Sequence, residues 1–213
     1  VRLGGVQLSR DFGVRPDLVT YPLPQFAGEA AVPSSVDLFI NGYKSSSADL
    51  QPGPYTLTNV PFINGAGEAV VVTTDALGRQ VSTTVPFYVT STLLQKGLSD
   101  FSVAAGNLRR DYTIRDFGYG PGVASGTFRY GISDAFTLES HAEASSDLSL
   151  GGVGGNLRVG NFGVLNTAVS QSQYDGRTGQ QLSLGYQYSN QRYSLSYQPV
   201  SYTHLTLPTS DLV

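Results

Sequence analysis

The sequence predicts an all-β protein made of two unlike parts, a small β-sandwich followed by a series of longer amphipathic strands. Three observations carry this. The 213 residues include 25 Gly, 10 Phe and 13 Tyr, a turn-rich and aromatic composition that disfavours helical bundles and cytosolic α/β enzymes. Charged residues make up only 14% of the chain, against about 25% in an average soluble domain. Over much of its length, apolar and polar residues alternate with period two rather than the 3.6 of a helix.

Residues 1–20 hold one strand, residues 1–10, and then a polar connection through Asp11, Phe12 and Gly13. Residues 21–34 are rich in proline, with Pro22, Pro24 and Pro33. Each proline fixes its own φ and pushes its predecessor toward extended geometry, so a stiff, extended linker is expected. Residues 35–90 read as a compact module of short strands. Val36, Leu38 and Ile40 alternate up to Asn41-Gly42, a pair that tolerates positive φ and marks a hairpin. Gln51-Pro52-Gly53-Pro54 and Asn59-Val60-Pro61 punctuate the middle of the module. Asp75-Ala76-Leu77-Gly78-Arg79 then turns a second hairpin between residues 69–74 and 80–85. About five or six short strands in about 60 residues predict a small sandwich.

From residue 100 the strands lengthen. Leu182, Leu184, Tyr186 and Tyr188 point one way, while Ser183, Gly185, Gln187 and Ser189 point the other. Phe128, Tyr130 and Ile132 oppose Thr127, Arg129 and Gly131 in the same manner, and Phe136 and Leu138 oppose Thr137, Glu139, His141 and Glu143. Strands with one apolar and one small polar face suit a transmembrane barrel, with lipid outside and water inside. A soluble sandwich with its apolar face inward alternates too. Strand length, tyrosines near strand ends, and tight turns at Asn161-Phe162 and Asn190-Gln191 favour the barrel.

Composition also narrows the chemistry. A net charge of -3, from 13 Lys and Arg against 16 Asp and Glu, does not supply the positive field that nucleic acid needs. The chain has no Cys, which excludes thiolate zinc sites and disulfides. The longest apolar stretches, such as residues 69–72, fall far short of the roughly 18 residues of a spanning helix. Any membrane crossing must be made by strands. Glu139, His141 and Glu143 share one strand face about 7 Å apart, too sparse for a metal site without another element. The only other His is His204. Gly151, Gly152, Gly154 and Gly155 lack the Lys-Ser or Lys-Thr of a phosphate loop, and no Gly-x-Ser-x-Gly elbow occurs. Arg109, Arg110, Arg115, Arg129 and Arg158 are dispersed. No catalytic residue, metal site or cofactor is expected.

Residues 200–213 (VSYTHLTLPTSDLV) break the alternation and offer no partner strand. They resemble translated sequencing-adapter read-through, with a native disordered tail as the alternative, and are set aside from function. A chain that opens on Val1 and contains no Met is expected to be a fragment.

The order of motifs resembles the outer-membrane fimbrial ushers of the chaperone-usher pathway. The resemblance rests on residues 2–8 (RLGGVQL), 15–24 (RPDLVTYPLP), 32–42 (VPSSVDLFING), the motifs that begin at Gln51, Asn59 and Asp75, Val85-Pro86-Phe87-Tyr88, and residues 93–102 (LLQKGLSDFS). It extends to about residue 199. It implies a translocation pore of roughly 24 strands with a β-sandwich plug inserted between two consecutive strands. Residues 1–20 are then the strand before the plug, 25–90 the plug, and 98–199 the barrel strands after it. By this resemblance the protein lies in the bacterial outer membrane, receives pilus subunits from a periplasmic chaperone and passes the fibre through a plug-gated pore. The regions that dock those partners fall mostly outside this sequence. Pro22, Pro24, Pro33 and Pro86 would be the plug hinges. Arg129, Glu139, His141, Glu143 and Arg158 would line the lumen or meet the plug. The alternative is a soluble extracellular tandem sandwich, an adhesin or carbohydrate-binding module with Tyr-rich binding faces.

Overall fold

In the computed structural model, β1 (Leu3–Ser9) pairs along its whole length with β8 (Ser99–Arg109), Ser9 opposite Ser102 and Leu3 opposite Leu108. Everything between these two strands is therefore an excursion from one antiparallel ladder. The structure describes residues 3–15, 17–58, 64–109, 119–174 and 176–203. The expected stop at Asn59-Val60-Pro61, and Arg110, Arg115 and His204, lie outside the described residues.

The excursion begins with a short 3-10 turn at Phe12–Val14, where the Asp11 carboxylate accepts a hydrogen bond from Gly13 N at 2.8 Å. A six-stranded sandwich comes next. In one sheet β2 (Gln25–Ala30) pairs with β5 (Gly53–Thr58). In the other, β3 (Ser34–Ile40), β4 (Tyr43–Leu50), β6 (Gly65–Asp75) and β7 (Gln80–Val89) lie in the order β4-β3-β6-β7. Alternate residues point inward: Val36 and Leu38 from β3, Ala69 and Val71 from β6, Phe87 and Val89 from β7. These close on Phe26 of β2. Phe26 meets Phe87 edge-on with ring centroids 6.0 Å apart, a favoured aromatic geometry.

Both predicted hairpins form, for local reasons. Asn41 and Gly42 take φ of 51° and 85°, the left-handed pair that matches strand twist in a two-residue turn. At the second, the Asp75 carboxylate accepts from Leu77 N, Arg79 N and Arg79 Nε at 2.9, 2.9 and 2.7 Å. These bonds, led by the Arg79 amide and then its guanidinium, hold the Asp75 carboxyl below its ordinary pKa.

The prolines expected as hinges divide into two groups. Pro33 occupies the turn between β2 and β3, and Pro86 lies within β7 opposite Glu68. Both belong to the sandwich, so neither is in a linker. Because β7 is an edge strand, it tolerates a residue with no N–H. The connections to the sandwich are residues 10–24, which contain Pro22 and Pro24, and residues 90–98.

After the excursion a second sheet continues from β8 through β9 (Tyr119–Ser133), β10 (Phe136–Ser145), β11 (Leu148–Arg158), β12 (Val164–Tyr174) and β13 (Arg177–Ser189), each antiparallel to the last. β14 (Ser194–Tyr197) and β15 (Val200–Thr203) both pair with β13, against residues 186–189 and 180–183 respectively. They form a single strand interrupted near Pro199, whose carbonyl still accepts from Leu184 N at 3.2 Å. This corrects the expectation that residue 200 onward has no partner strand. Pro199 hides the continuation by disrupting the alternation that would have revealed it.

The register sorts the side chains of this sheet into two faces. One cross-strand row reads Phe101, Phe128, Ser140, Val153, Val169 and Leu182. The adjacent row, on the opposite face, reads Asp100, Arg129, Glu139, Gly154, Ala168 and Ser183. On the apolar face Val6 is 78% exposed and Val153 62%, so among the described residues no second layer covers it. A soluble sandwich would bury that face. An apolar exterior over a polar interior is the arrangement of a membrane barrel wall. Among the described residues no helix is long and apolar enough to cross a membrane.

Candidate functional site

The polar face carries its charges where β8, β9, β10 and β11 run side by side. Pairing of β9 with β10 sets Arg129 opposite Glu139, and Arg129 Nε donates to Glu139 Oε1 at 2.8 Å. The same oxygen accepts from Asn156 Nδ2 of β11 at 2.7 Å. Arg129 Nη1 stands 3.9 Å from Asp100 Oδ2 of β8, while Nη2 donates to the Thr92 carbonyl. One guanidinium, with its planar fork of donors, thus ties together two neighbouring strands and the second connection. Its side chain is 30% exposed, so solvent screens the pair and about 1 kcal/mol is a fair contribution.

That second connection is seated on the same face. Thr137 is fully buried, and its hydroxyl accepts from Leu94 N at 2.9 Å. Leu93 and Leu94 are buried as well. Gly131 lets the backbone pass close by: a Cβ there would stand 2.1 Å from the Gln95 carbonyl oxygen. Around it Gly97 N donates to the Gly131 carbonyl at 2.8 Å and Gly131 N to the Leu98 carbonyl at 2.9 Å. Lys96 N donates to Asp134 Oδ1 at 3.1 Å. Gln95 N, finally, donates to the Thr20 carbonyl at 2.7 Å, joining the two connections.

The remaining candidates separate. His141 Nε2 lies 3.0 Å from Glu143 Oε1 in a solvated pair further along β10. Among the described residues no group of three His, Cys, Asp or Glu is placed to hold a metal. Arg158 sits at the end of β11 nearest the sandwich, where its Nη1 donates to the Tyr88 carbonyl at 3.2 Å. Tyr88 itself is buried and stacks on Tyr188 of β13, with centroids 6.1 Å apart and planes 30° from parallel. Burial raises the Tyr88 phenol above its ordinary pKa, against a hydrogen bond from the Ser189 backbone. The structure therefore brings Arg129 and Glu139 together, pairs His141 with Glu143, and gives Arg158 to the sandwich seam. Thr92 and Asn156 are participants that the sequence did not single out. Thr137 and Tyr188 were visible there only as members of alternating strands and Tyr88 only as part of a motif; the alternation put Tyr188 on the side of Leu182, and near the end of β13 it meets Tyr88.

The comparisons with known proteins agree with this geometry. A family model described as "Outer membrane usher protein" matches residues 1–206, past residue 199 and through β15. The chain is similar to the F1 capsule-anchoring protein of Yersinia pestis, 25% identical over 172 residues that cover 81% of this chain and 20% of that protein. It is 32% identical over 157 residues to outer membrane usher protein PefC of Salmonella typhimurium, covering 71% of this chain and 19% of PefC. It thus spans about a fifth of the length of these relatives. Among solved structures, the E. coli P pilus tip assembly intermediate PapC-PapD-PapK-PapG is similar with a TM-score of 0.55 at 22% identity, over 86% of this chain and 23% of that one. At that identity the likeness speaks for the fold.

Proposed function

The chain belongs to the outer membrane usher family, and from that premise we propose that it supplies the plug and part of the wall of a translocation pore for pilus fibres. The observation that carries this reading is topological. A complete sandwich is inserted between β1 and β8, two hydrogen-bonded neighbours of the amphipathic sheet, and its return connection rests on the polar face. A domain so placed is tethered at the mouth of whatever channel the polar face lines.

On this reading the full-length protein sits in the bacterial outer membrane with Val6, Val153 and their row-mates toward lipid. Arg129, Glu139, His141, Glu143 and Arg158 face the lumen or the plug. Chaperone-delivered pilus subunits are assembled in order and the fibre passes outward, driven by subunit folding as one subunit's strand completes the next. The similar solved assembly, a pilus tip intermediate containing PapC with three other proteins, supports partners of this kind. Pro22 and Pro24 would stiffen the first connection during plug movement. The protein is an assembly and translocation platform and not an enzyme.

Electron microscopy of cells tests the reading. Disrupting the full-length gene is expected to abolish surface fibres while chaperone–subunit complexes accumulate in the periplasm, and a plasmid copy is expected to restore the fibres. Normal fibre numbers without the protein would overturn the assignment.

A further inference from the structure

The two connections to the sandwich are built differently, and the difference says how the domain moves. Among the described residues 11–15 and 17–19 of the first, the hydrogen bonds found are local: Gly13 N to Asp11, Arg15 N to the Phe12 carbonyl, Leu18 N to the Arg15 carbonyl, and the Arg15–Asp17 pair. Val14 is 76% exposed. The second connection is pinned by Thr137, Asp134, Gly131 and Arg129 at successive points along residues 92–98. With the second connection anchored to the sheet at these points, the sandwich turns as a rigid body about that anchored end.

Beyond that pivot, among the described residues, the sandwich touches the sheet at few places. Tyr88 is stacked on Tyr188 and held by Arg158 through its carbonyl. Gly65 lies against the Ser189 carbonyl. Further out the seam widens into a cleft of about 460 Å³ lined by Asn41, Glu68, Asn190 and Arg192, among others. We propose that Tyr88 is the clasp that keeps the plug closed, with residues 90–98 as a fixed pivot, so that opening breaks the Tyr88–Tyr188 contact and leaves the second connection in place. This rests on the proposed plug role and adds the residue that sets the closed population.

The test is the ratio of closed to open time in planar bilayers containing the full-length protein. Tyr88→Ala and Tyr188→Ala are each expected to lower that ratio by about two- to tenfold, the range for a stacked aromatic pair. The double variant should do no more than the larger single effect, because both remove one interaction. In a background lacking residues 25–89, Tyr188→Ala should change nothing. If alanine at 88 disturbs folding, Tyr88→Leu keeps an apolar side chain there, loses the ring stacking, and should shift the ratio the same way by about twofold or more. Heat-modifiable gel migration identifies folded barrels. A pore that opens on removing residues 25–89 but ignores the tyrosine variants, or responds to them additively, overturns the clasp and leaves the plug standing. A pore that stays closed without residues 25–89 overturns the plug reading and the clasp with it.

Discussion

Arg129 shows how much one side chain can organise when several strands converge. Its contacts reach Glu139, Asp100 and the Thr92 carbonyl, a set that the compact ammonium of lysine cannot reproduce. Removing it strips the Thr92 carbonyl of this donor and leaves Glu139 Oε1 to Asn156 alone. In the full-length protein, Arg129→Ala and Glu139→Gln are each expected to lower the temperature at which the barrel loses heat-modifiable migration. A double-mutant cycle should show coupling of about 1 kcal/mol, modest because both groups are partly solvated. Independent, additive effects would contradict the pairing. The alternation in the sequence already put both residues on one face, since period two needs only local order. It could not show that Arg129 serves the connection, because Thr92 lies in a segment without periodicity. Tyr88's role was hidden because its partner Tyr188 is in a strand far along the chain.

Among the elements, turns were legible where the chemistry is local. Asn41-Gly42 and Asp75 through Arg79 specify their hairpins with no help from the rest of the chain. Pro33 and Pro86 misled because a proline in a turn or an edge strand reads like one in a linker, and only the pairing of β6 with β7 tells them apart. β15 was missed since an interrupted strand of four residues shows too little alternation. The seat of the second connection depends on Gly131, which is invisible without knowing that a backbone crosses there. Gly131→Ala should unseat residues 94–98 at a cost of about 1–3 kcal/mol, the usual penalty for overpacking. The expected sign is faster hydrogen exchange at Leu94 and Gly97 in the full-length protein, with exchange at Leu77 and Arg79 in the plug hairpin unchanged. Unaltered protection at Leu94 and Gly97 would contradict the close approach.

For the molecule as a whole, the low charge content and the exposed apolar rows have one cause. A sheet that meets lipid on one face and water on the other needs few charges, and it gathers them on one side. Among the described residues the tandem-sandwich alternative lacks the second sheet that would cover Val153 and Val169, both more than half exposed. The measurement that tests this most directly is spin-label accessibility in the full-length protein reconstituted in lipid bilayers, with single labels at Val169, Leu182, Ala168 and Ser183. Labels at Val169 and Leu182 are expected to collide with oxygen dissolved in the lipid, while those at Ala168 and Ser183 are expected to collide with a water-soluble nickel complex. Water-soluble relaxant reaching all four positions equally, or the reverse pattern, would contradict this arrangement.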